Sequence, residues 1–231
     1  MKQLTLSVII VLALLAACKK DSDSSIPVTQ SNFLFFNGVP GTAQFGVLLD
    51  TMVLSSNIGY GENTGYKQYR AQKYNIYLYN TLTPGTLLPG GEINLRNGRF
   101  FSAYLSVDTV AKQYLLRTTE DDISSLGKGT AKFRIMNLSQ TFKANQSPLG
   151  IDVYSDTFPR IFTNITFTTL TPFAAVGGDS AYTLNFRRPD TPVVVLKKLP
   201  FQTETGKVYT LITSGNALDT ATFRIFTIQH N

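Results

Sequence analysis

The sequence predicts an all-β protein made of two tandem antiparallel β-sandwich domains, each immunoglobulin-like or transthyretin-like in architecture. Apolar and polar residues alternate with period two in many short segments, and turn signals rich in Gly, Pro and Asn separate these segments. Short strands at intervals of about 8–12 residues are typical of sandwiches and barrels. Motifs of the first half also recur in the second half, which indicates duplication of one β domain.

The clearest strands follow from residue type. In residues 74–78, Tyr, Ile and Leu alternate with Asn and Tyr, so one face of this strand is expected to be buried. Residues 101–107 repeat the pattern, and residues 208–213 are rich in β-branched and aromatic side chains. The Asn-Gly pair at 97–98 predicts a hairpin turn. We expect about seven strands in each domain.

The internal repeat predicts where the two domains lie. The separation between matching motifs grows from 100 to 108 residues, which requires extra residues early in the second unit. The expected division is a first sandwich at residues 31–118, a linker at residues 119–129 and a second sandwich at residues 130–231. The aligned segments are residues 35–38 with 135–138, residues 74–78 with 182–186, and residues 97–102 with 205–210.

The linker at residues 119–129 has two interpretations. Thr119 can cap a single helical turn that Gly127 ends, with the acidic residues near its N-terminus. The alternative is a plain polar linker. A calcium site is not expected, because the acids lack the alternating spacing of an EF-hand loop.

Residues 1–17 predict a lipoprotein signal peptide. Lys2 is a short positive region, and an apolar run follows over residues 4–15. An apolar stretch this short is typical of a signal peptide and not of a membrane span. Residues 15–18, Leu-Ala-Ala-Cys, resemble a bacterial lipobox, in which the chain is cut before a Cys that carries lipid. We therefore expect Cys18 to anchor the chain in outer-membrane lipid; an ordinary secretory peptide is the alternative.

Residues 18–30 are expected to form a disordered tether after the lipidated Cys. The basic-then-acidic cluster at residues 19–23, Lys-Lys-Asp-Ser-Asp, resembles the export signal of surface lipoproteins in Bacteroidota-type, Gram-negative bacteria. It predicts an outer-membrane lipoprotein exposed at the cell surface. A tether that merely clears the membrane and leaves the protein facing the periplasm is the alternative.

Two motifs of the second unit resemble a known family. Residues 133–139, Phe-Arg-Ile-Met-Asn-Leu-Ser, and residues 150–154, Gly-Ile-Asp-Val-Tyr, resemble the opening strands of the domain-of-unknown-function family 4397. Residues 205–211 are similar to a later strand of that family, and residues 98–102 keep this strand in the first unit. The resemblance implies paired β-sandwich modules in extracytoplasmic lipoproteins, and it implies no activity and no known site.

The composition argues against most catalytic chemistry. The single Cys cannot form an internal disulfide or a zinc ribbon, and it lies at the predicted anchor. The single His, His230, is the penultimate residue, where we expect a frayed terminus and no catalytic triad. No phosphate-binding loop and no Gly-x-Ser-x-Gly motif occurs. The sequence therefore predicts a protein that is not an enzyme and uses no cofactor or metal.

Two groups of side chains are candidates for ligand binding. The formal net charge is +6, yet Lys and Arg are scattered, which argues against a nucleic-acid partner. Tyrosines crowd the first unit and can form an outer aromatic face that stacks on sugars or binds a protein; packing against the second unit is the alternative. Basic doublets flanking one loop can meet on adjacent strands and attract anionic glycans. These candidates are Tyr66, Tyr69, Tyr77, Tyr79, Arg187, Arg188, Lys197 and Lys198.

Arg134 and Asp152 are candidates for a buried structural ion pair. Both lie near the start of the second unit, and both positions are apolar in the first unit. A correlated loss is what an ion pair predicts. A solvated Asp152 on the outer face of its sheet is the alternative, since it alternates with Ile151 and Val153.

Three functions remain open from the sequence. The leading hypothesis is a non-enzymatic, lipid-anchored protein of the cell envelope that acts in binding, adhesion or assembly, with a glycan or protein ligand. The second is a fimbrillin-type structural subunit that donates an edge strand, for which residues 222–229 are the candidate. The third is a glycan hydrolase with two carboxylates.

Overall fold

The structure, a computed structural model, describes residues 29–83, 85, 87–157 and 159–231, without the side chain of residue 89. Over these ranges it contains sixteen strands and no helix, so the all-β prediction is confirmed. The strands form four four-stranded sheets. Cys18 and residues 18–28 of the predicted tether lie outside the described residues. Within the described ranges no helix has the length and apolar character that crossing a membrane requires.

The first eight strands form two sheets that face each other. One sheet has the order β4-β1-β7-β8, and the other has the order β3-β2-β5-β6. Their bounds are β1 Gln30–Asn37, β2 Phe45–Leu49, β3 Met52–Ile58, β4 Lys67–Arg70, β5 Lys73–Asn80, β6 Leu87–Asn94, β7 Phe100–Asp108 and β8 Gln113–Asp121.

The next eight strands repeat this arrangement. One sheet has the order β12-β9-β15-β16, and the other has the order β11-β10-β13-β14, which is the first pattern shifted by eight strands. Their bounds are β9 Thr130–Ser139, β10 Ile151–Ser155, β11 Phe162–Ile165, β12 Ala174–Gly177, β13 Ala181–Arg187, β14 Val195–Gln202, β15 Val208–Gly215 and β16 Arg224–Gln229.

Each sandwich therefore has eight described strands where about seven were expected. Most strand pairs are antiparallel, as predicted, and two are parallel: β1 with β7, and β9 with β15. In both cases the chain passes through the opposite sheet, and the seventh strand of the unit then returns to lie beside the first strand, parallel to it. The segment between β8 and β9 contains no helical turn, because Thr119 continues β8 and β8 runs to Asp121.

Period-two alternation decides which side chains enter each core. In β5, Tyr74, Ile76 and Leu78 are buried, whereas Lys73 and Asn75 are exposed. Alternate residues of each sheet meet in one apolar core per sandwich, the first around Phe33, Phe35 and Phe45 and the second around Phe133, Phe186 and Phe223. The cores bury the large aromatic side chains, and this burial supplies most of the favourable free energy of folding.

A third apolar cluster joins the two sandwiches. Leu34, Phe36 and Tyr104 point away from the first core and pack against Met136, Leu138, Ile212 and Ile228 of the second unit. The sheets containing β1 and β9 thus lie face to face, and the molecule is a stack of four sheets. The Ser214 hydroxyl donates to the Gly38 carbonyl oxygen across this seam at 2.8 Å. Gly38 directly follows β1, and Ser214 is the penultimate residue of β15.

A buried asparagine makes the same bonds near the end of the first strand of each sandwich: Asn37 is the last residue of β1, and Asn137 is two residues before the end of β9. The Asn37 amide donates to the Ile58 carbonyl at 3.0 Å, and its oxygen accepts from the Val39 N–H at 3.0 Å. The Asn137 amide donates to the Ile165 carbonyl at 2.7 Å, and its oxygen accepts from the Ser139 N–H at 2.9 Å. These bonds satisfy buried polar groups that would otherwise destabilise the fold.

Candidate functional site

The seam between the sandwiches contains a buried polar network as well as apolar side chains. It consists of Tyr66 and Asp121 from the first unit and Arg134, Thr210 and His230 from the second. Tyr66 precedes β4, Asp121 ends β8, Arg134 and Thr210 are neighbours on β9 and β15, and His230 follows β16. Alternation along these strands turns all five side chains away from the two cores and toward the seam.

Asp121 and Arg134 form the ion pair at the centre of this interface network. Their side chains are 0% and 4% exposed, and the guanidinium contacts one carboxylate oxygen directly. The other oxygen accepts from the Ser102 hydroxyl at 2.6 Å and the Tyr66 hydroxyl at 2.7 Å. Burial, reinforced by the Asp121 charge, strongly raises the pKa of Tyr66, so its phenol stays protonated and donates.

His230 closes the interface network as a neutral ring. Tyr66 already donates to Asp121, so its oxygen accepts from the His230 Nδ1–H at 2.7 Å. Arg134 Nε donates to the Thr210 hydroxyl at 2.9 Å, and Thr210 in turn donates to His230 Nε2 at 2.7 Å. This tautomer is inferred from the bonding pattern. Burial lowers the pKa of His230 to about 4, with Asp121 opposing the shift and Arg134 adding to it.

The expectation of a frayed end at His230 is wrong. Its side chain is buried, and its backbone N–H donates to the Val208 carbonyl at 2.9 Å. Sequence reasoning also missed Asp121, because the acidic run at residues 119–122 was assigned to a linker. A signal was present: Asp121 ends β8 and His230 directly follows β16, so each is a polar residue at the end of the last strand's alternating pattern in its unit.

The predicted pair of Arg134 with Asp152 is wrong. Asp152 is buried as well, but its carboxylate accepts from Arg160 Nη1 at 3.3 Å and from the Asn164 N–H at 2.7 Å. The residues on either side of Arg134 and of Asp152 point into the second core, so these two side chains point away from it. Arg134 therefore lies on the seam side of its sheet, whereas Asp152 lies on the outer side of the opposite sheet. The second core separates them. The alternative of a solvated Asp152 is wrong too, since its side chain is 1% exposed.

Two of the four candidate tyrosines share an outer sheet face. On the sheet β3-β2-β5-β6, Leu48 lies opposite both Val53 and Tyr77, and Tyr79 lies opposite Leu87. Val53, Tyr77 and Leu87 are 60%, 38% and 62% exposed. We call these five residues the tyrosine face. It is a contiguous exposed apolar surface of the kind that marks interaction sites.

The arrangement of Tyr79 depends on a missing side chain. Gly46 lies directly opposite Tyr79 on β2, and the tyrosine ring occupies the space where a Cβ of residue 46 would be. A glycine at this position therefore lets the ring lie across the β2 backbone and present one side to solvent.

Tyr66 and Tyr69 do not belong to the tyrosine face. Tyr66 is in the interface network, with its ring edge-on to Phe100 at 5.1 Å between centroids. Tyr69 packs on the first core, edge-on to Phe33 at 6.5 Å and to Tyr74 at 6.4 Å. Tyr66 therefore packs against the second unit, which was the alternative to an outer aromatic face.

The basic doublets do not converge on one charged surface. Arg188 binds both oxygens of Asp190 at 2.9 and 2.8 Å, and Lys197 donates to the Phe223 carbonyl at 3.2 Å. The Arg187 guanidinium lies 4.7 Å from the Tyr154 ring centroid and donates to a backbone carbonyl. Lys198 is exposed opposite Asn185. Adjacent residues of a strand point to opposite faces, which separates the members of each doublet.

The two buried carboxylates of the described chain are both in ion pairs with arginines: Asp121 with Arg134, and Asp152 with Arg160. In the described ranges no group of three or more His, Cys, Asp or Glu side chains is placed to hold a metal ion. The interface network joins the sandwiches, whereas the tyrosine face is exposed on the outer sheet of the first one. The fold and site thus define a two-sandwich β protein with an exposed aromatic face.

The chain belongs to the family described as Domain of unknown function (DUF4397), whose model matches residues 31–146. The matched range covers β1 to β9 and ends before β10. The sequence motifs of the family were strongest in the second unit, whereas the match lies mainly on the first. No curated protein matches the sequence.

The solved structures that are similar at low identity include the following three. A family 26 carbohydrate-binding module, CBMbc of Eubacterium rectale Amy13K in complex with maltoheptaose, is 7% identical over 85% of this chain and 96% of that chain, with a TM-score of 0.27. A candidate adhesin from Bacteroides ovatus is 9% identical over 90% and 94%, with a TM-score of 0.22. A candidate cell adhesion protein from Bacteroides eggerthii is 9% identical over 88% and 96%, with a TM-score of 0.23. These values are too low to indicate a shared function.

Proposed function

We propose that this chain is a non-enzymatic, lipid-anchored protein of the cell envelope that binds a protein ligand through the tyrosine face. The carrying observation is the contiguous row of exposed aromatic and aliphatic side chains on the outer sheet of the first sandwich. Centres of protein interfaces are enriched in aromatic side chains and depleted in charge. Tyr77 and Leu87 fit this composition, and aliphatic neighbours favour a protein over a sugar ring.

We further propose that the two sandwiches are tandem copies of the DUF4397 domain. The strand orders of the two units coincide, and Asn37 and Asn137 make equivalent bonds. A second equivalence supports this. The Thr64 hydroxyl accepts from the Phe35 N–H at 3.0 Å, and the Thr171 hydroxyl accepts from the Ile135 N–H at 3.0 Å. The proposed second domain stays at residues 130–231, and the expected end of the first domain at residue 118 moves to Asp121, because β8 continues to that residue.

Tyr77→Ala combined with Tyr79→Ala is expected to weaken ligand binding at least tenfold. Each side chain would be a centre of binding energy, and truncating such a residue typically costs more than about 1 kcal/mol. The measurement is binding of the chain to arrays of host surface proteins and of glycans, followed by titration of each hit. Val193→Ser is the control, because Val193 is 85% exposed on a loop of the other sandwich.

Protein hits that lose affinity in the tyrosine variant, and keep it in the control, support the proposal. Hits that bind the tyrosine variant with the same affinity as the parent would indicate a ligand site elsewhere on the protein. Hits confined to glycans would overturn the protein ligand and keep the site. An absence of hits on both arrays would overturn the binding role as stated.

The proposed anchor is Cys18, which supplies the only thiol of the chain. Cys18→Ala is expected to abolish the incorporation of fatty acid, since Cys18 supplies the thiol that carries the lipid. Metabolic labelling with a fatty acid would detect the change. Protease treatment of intact cells tests surface exposure. A variant that still incorporates the fatty acid would refute the anchor, and complete protease protection would indicate a protein that faces the periplasm.

Strand donation of the fimbrillin type is less well supported. The donor candidate, β16, is paired with β15 along its length from Ser214–Arg224 to Tyr209–Gln229. Ile228 of this strand is buried in the seam, and His230 directly after it belongs to the interface network. Removing β16 would therefore open the seam between the sandwiches.

A further inference from the structure

A narrow cleft lies in the seam, at the opposite end of Tyr104 from the interface network. Its volume is about 170 Å³. This is below the roughly 300–1,000 Å³ of pockets for drug-sized ligands, so it has room for a small molecule only. Its lining is formed by Tyr104, Ser106, Leu115, Leu116, Arg117, Leu138 and Thr168.

Thr168 lines the cleft in a backbone conformation that rarely suits threonine. Its φ is +64°, whereas its counterpart in the first unit is Gly61, with φ +81°. The two positions are equivalent, because the Gly61 N–H donates to the Asn37 carbonyl at 2.8 Å and the Thr168 N–H donates to the Asn137 carbonyl at 2.7 Å. A β-branched residue in the left-handed region is strained, and strain of this kind occurs preferentially at functional sites.

Ser106 and Arg117 add polar groups whose bonding capacity is unused. Ser106 is 1% exposed, and its hydroxyl has no hydrogen-bond partner within the described chain. A buried hydroxyl without a partner destabilises a protein unless a ligand or water satisfies it. Arg117 is exposed at this cleft and forms no ion pair with any residue in the described ranges.

The matching place on the other side of the seam is closed by an aromatic ring. Arg117 lies opposite Tyr104 in β8, and Phe226 lies opposite Ile212 in β16, so the two are counterparts. The Phe226 ring packs against Gly61, which has no side chain to obstruct it, and lies 5.6 Å from the Phe36 ring. One side of the seam is therefore filled by apolar packing, while the other is open and carries a guanidinium and two hydroxyls.

We propose that this cleft binds a small organic carboxylate. The Arg117 guanidinium pairs with the carboxylate, and the Thr168 and Ser106 hydroxyls donate to its oxygens. Leu115, Leu138 and the Tyr104 ring cover the apolar part of the ligand. None of the seven lining residues is acidic, so nothing in the lining repels an anion. This site is separate from the tyrosine face, which lies on the outer sheet of the first sandwich.

Benzoate is the probe, and titration calorimetry of the full chain in detergent is the measurement. We expect saturable binding that weakens at least tenfold in Arg117→Gln. Benzamide, which has the same ring but no charge, is expected to bind at least tenfold more weakly than benzoate. Arg70→Gln is the matched control, because Arg70 is also exposed and lies on β4, away from the cleft. It should leave the benzoate affinity unchanged.

A second variant separates binding from folding. Thr168→Gly restores the glycine of the first unit, so it is expected to raise the midpoint of thermal unfolding while it weakens benzoate binding severalfold. The proposal is overturned if benzoate shows no saturable binding at concentrations up to about 20 mM, which is about 20 times a dissociation constant of ~1 mM. It is also overturned if Arg117→Gln binds benzoate with the affinity of the parent, or if benzamide binds as tightly as benzoate. Retained benzoate binding in the Tyr77→Ala, Tyr79→Ala variant would show that the two sites are independent.

Discussion

Asp121→Ala is expected to lower the free energy of unfolding by about 3–5 kcal/mol. The change leaves the Arg134 guanidinium buried at the seam without its counter-ion, and it removes the acceptor of the Ser102 and Tyr66 hydroxyls. Removing one partner of a buried ion pair is costly because the remaining charge stays desolvated. Chemical denaturation followed by tyrosine fluorescence or circular dichroism measures the loss.

Glu92→Ala is the control for this variant. The Glu92 carboxylate pairs with Lys73 at 2.7 Å, and both side chains are exposed, at 60% and 62%. An ion pair with an exposed partner contributes at most about 1 kcal/mol, so this variant should remain near the stability of the parent. Equal effects of the two substitutions would contradict the central role of Asp121.

The double variant Asp121→Leu, Arg134→Leu extends the same argument. Leu34 occupies the position in the first unit that matches Arg134, since Leu34 pairs with Ser102 as Arg134 pairs with Thr210. Replacing both charges by apolar side chains removes the unpaired charge and should recover most of the lost stability. A double variant as unstable as the sum of the single ones would show that the pair is not energetically coupled.

Acidification from pH 6.5 to pH 4 is expected to destabilise the protein by about 3 kcal/mol through His230 alone. The pKa of His230 is lowered to about 4 in the folded state, from 6.5 in the unfolded chain. Between these values the unfolded state binds more protons than the folded state, so stability falls as the pH falls. The contribution is fully present above pH 6.5.

The interface network explains why a proton on His230 is unfavourable. The ring faces Tyr66 on one side and Thr210 on the other, with the Arg134 charge nearby and Asp121 opposing it. In the neutral ring Nε2 accepts from Thr210, and this bond is lost when Nε2 is protonated. On protonation, Thr210 would have to accept from both His230 Nε2–H and Arg134 Nε, and the hydrogen of its own hydroxyl would lose its acceptor.

His230→Asn isolates this effect, because the chain has no other histidine. The variant should be less stable than the parent at pH 7, and the difference between them should shrink toward pH 4. Urea unfolding at closely spaced pH values measures both curves. Carboxylates titrate in both proteins, so only the difference between the curves is informative. A constant difference across this range would contradict a neutral, buried His230.

The candidate sites show how far alternation along a strand can lead. Period two correctly assigned Tyr77 and Tyr79 to a face opposite the core, since that depends only on the spacing of residues along one strand. It also assigned Asp152 to an outer face. It could not predict that Arg160 and the Asn164 backbone would cover Asp152, because those contacts come from a neighbouring strand and its loop.

By itself, the sequence determined the all-β class and the alternation that builds each core, because strand formation depends on local residue patterns. Its internal motifs indicated two similar units. Only the tertiary structure decided which outer faces became buried, because a polar or apolar residue opposite a core carries no information about what packs on it. The stacking of the two units buried Tyr66, Asp121, Arg134 and His230 together, although the chain separates Tyr66 from His230 by 164 positions. It left Tyr77 exposed and Tyr79 half-buried, so both remain in contact with solvent.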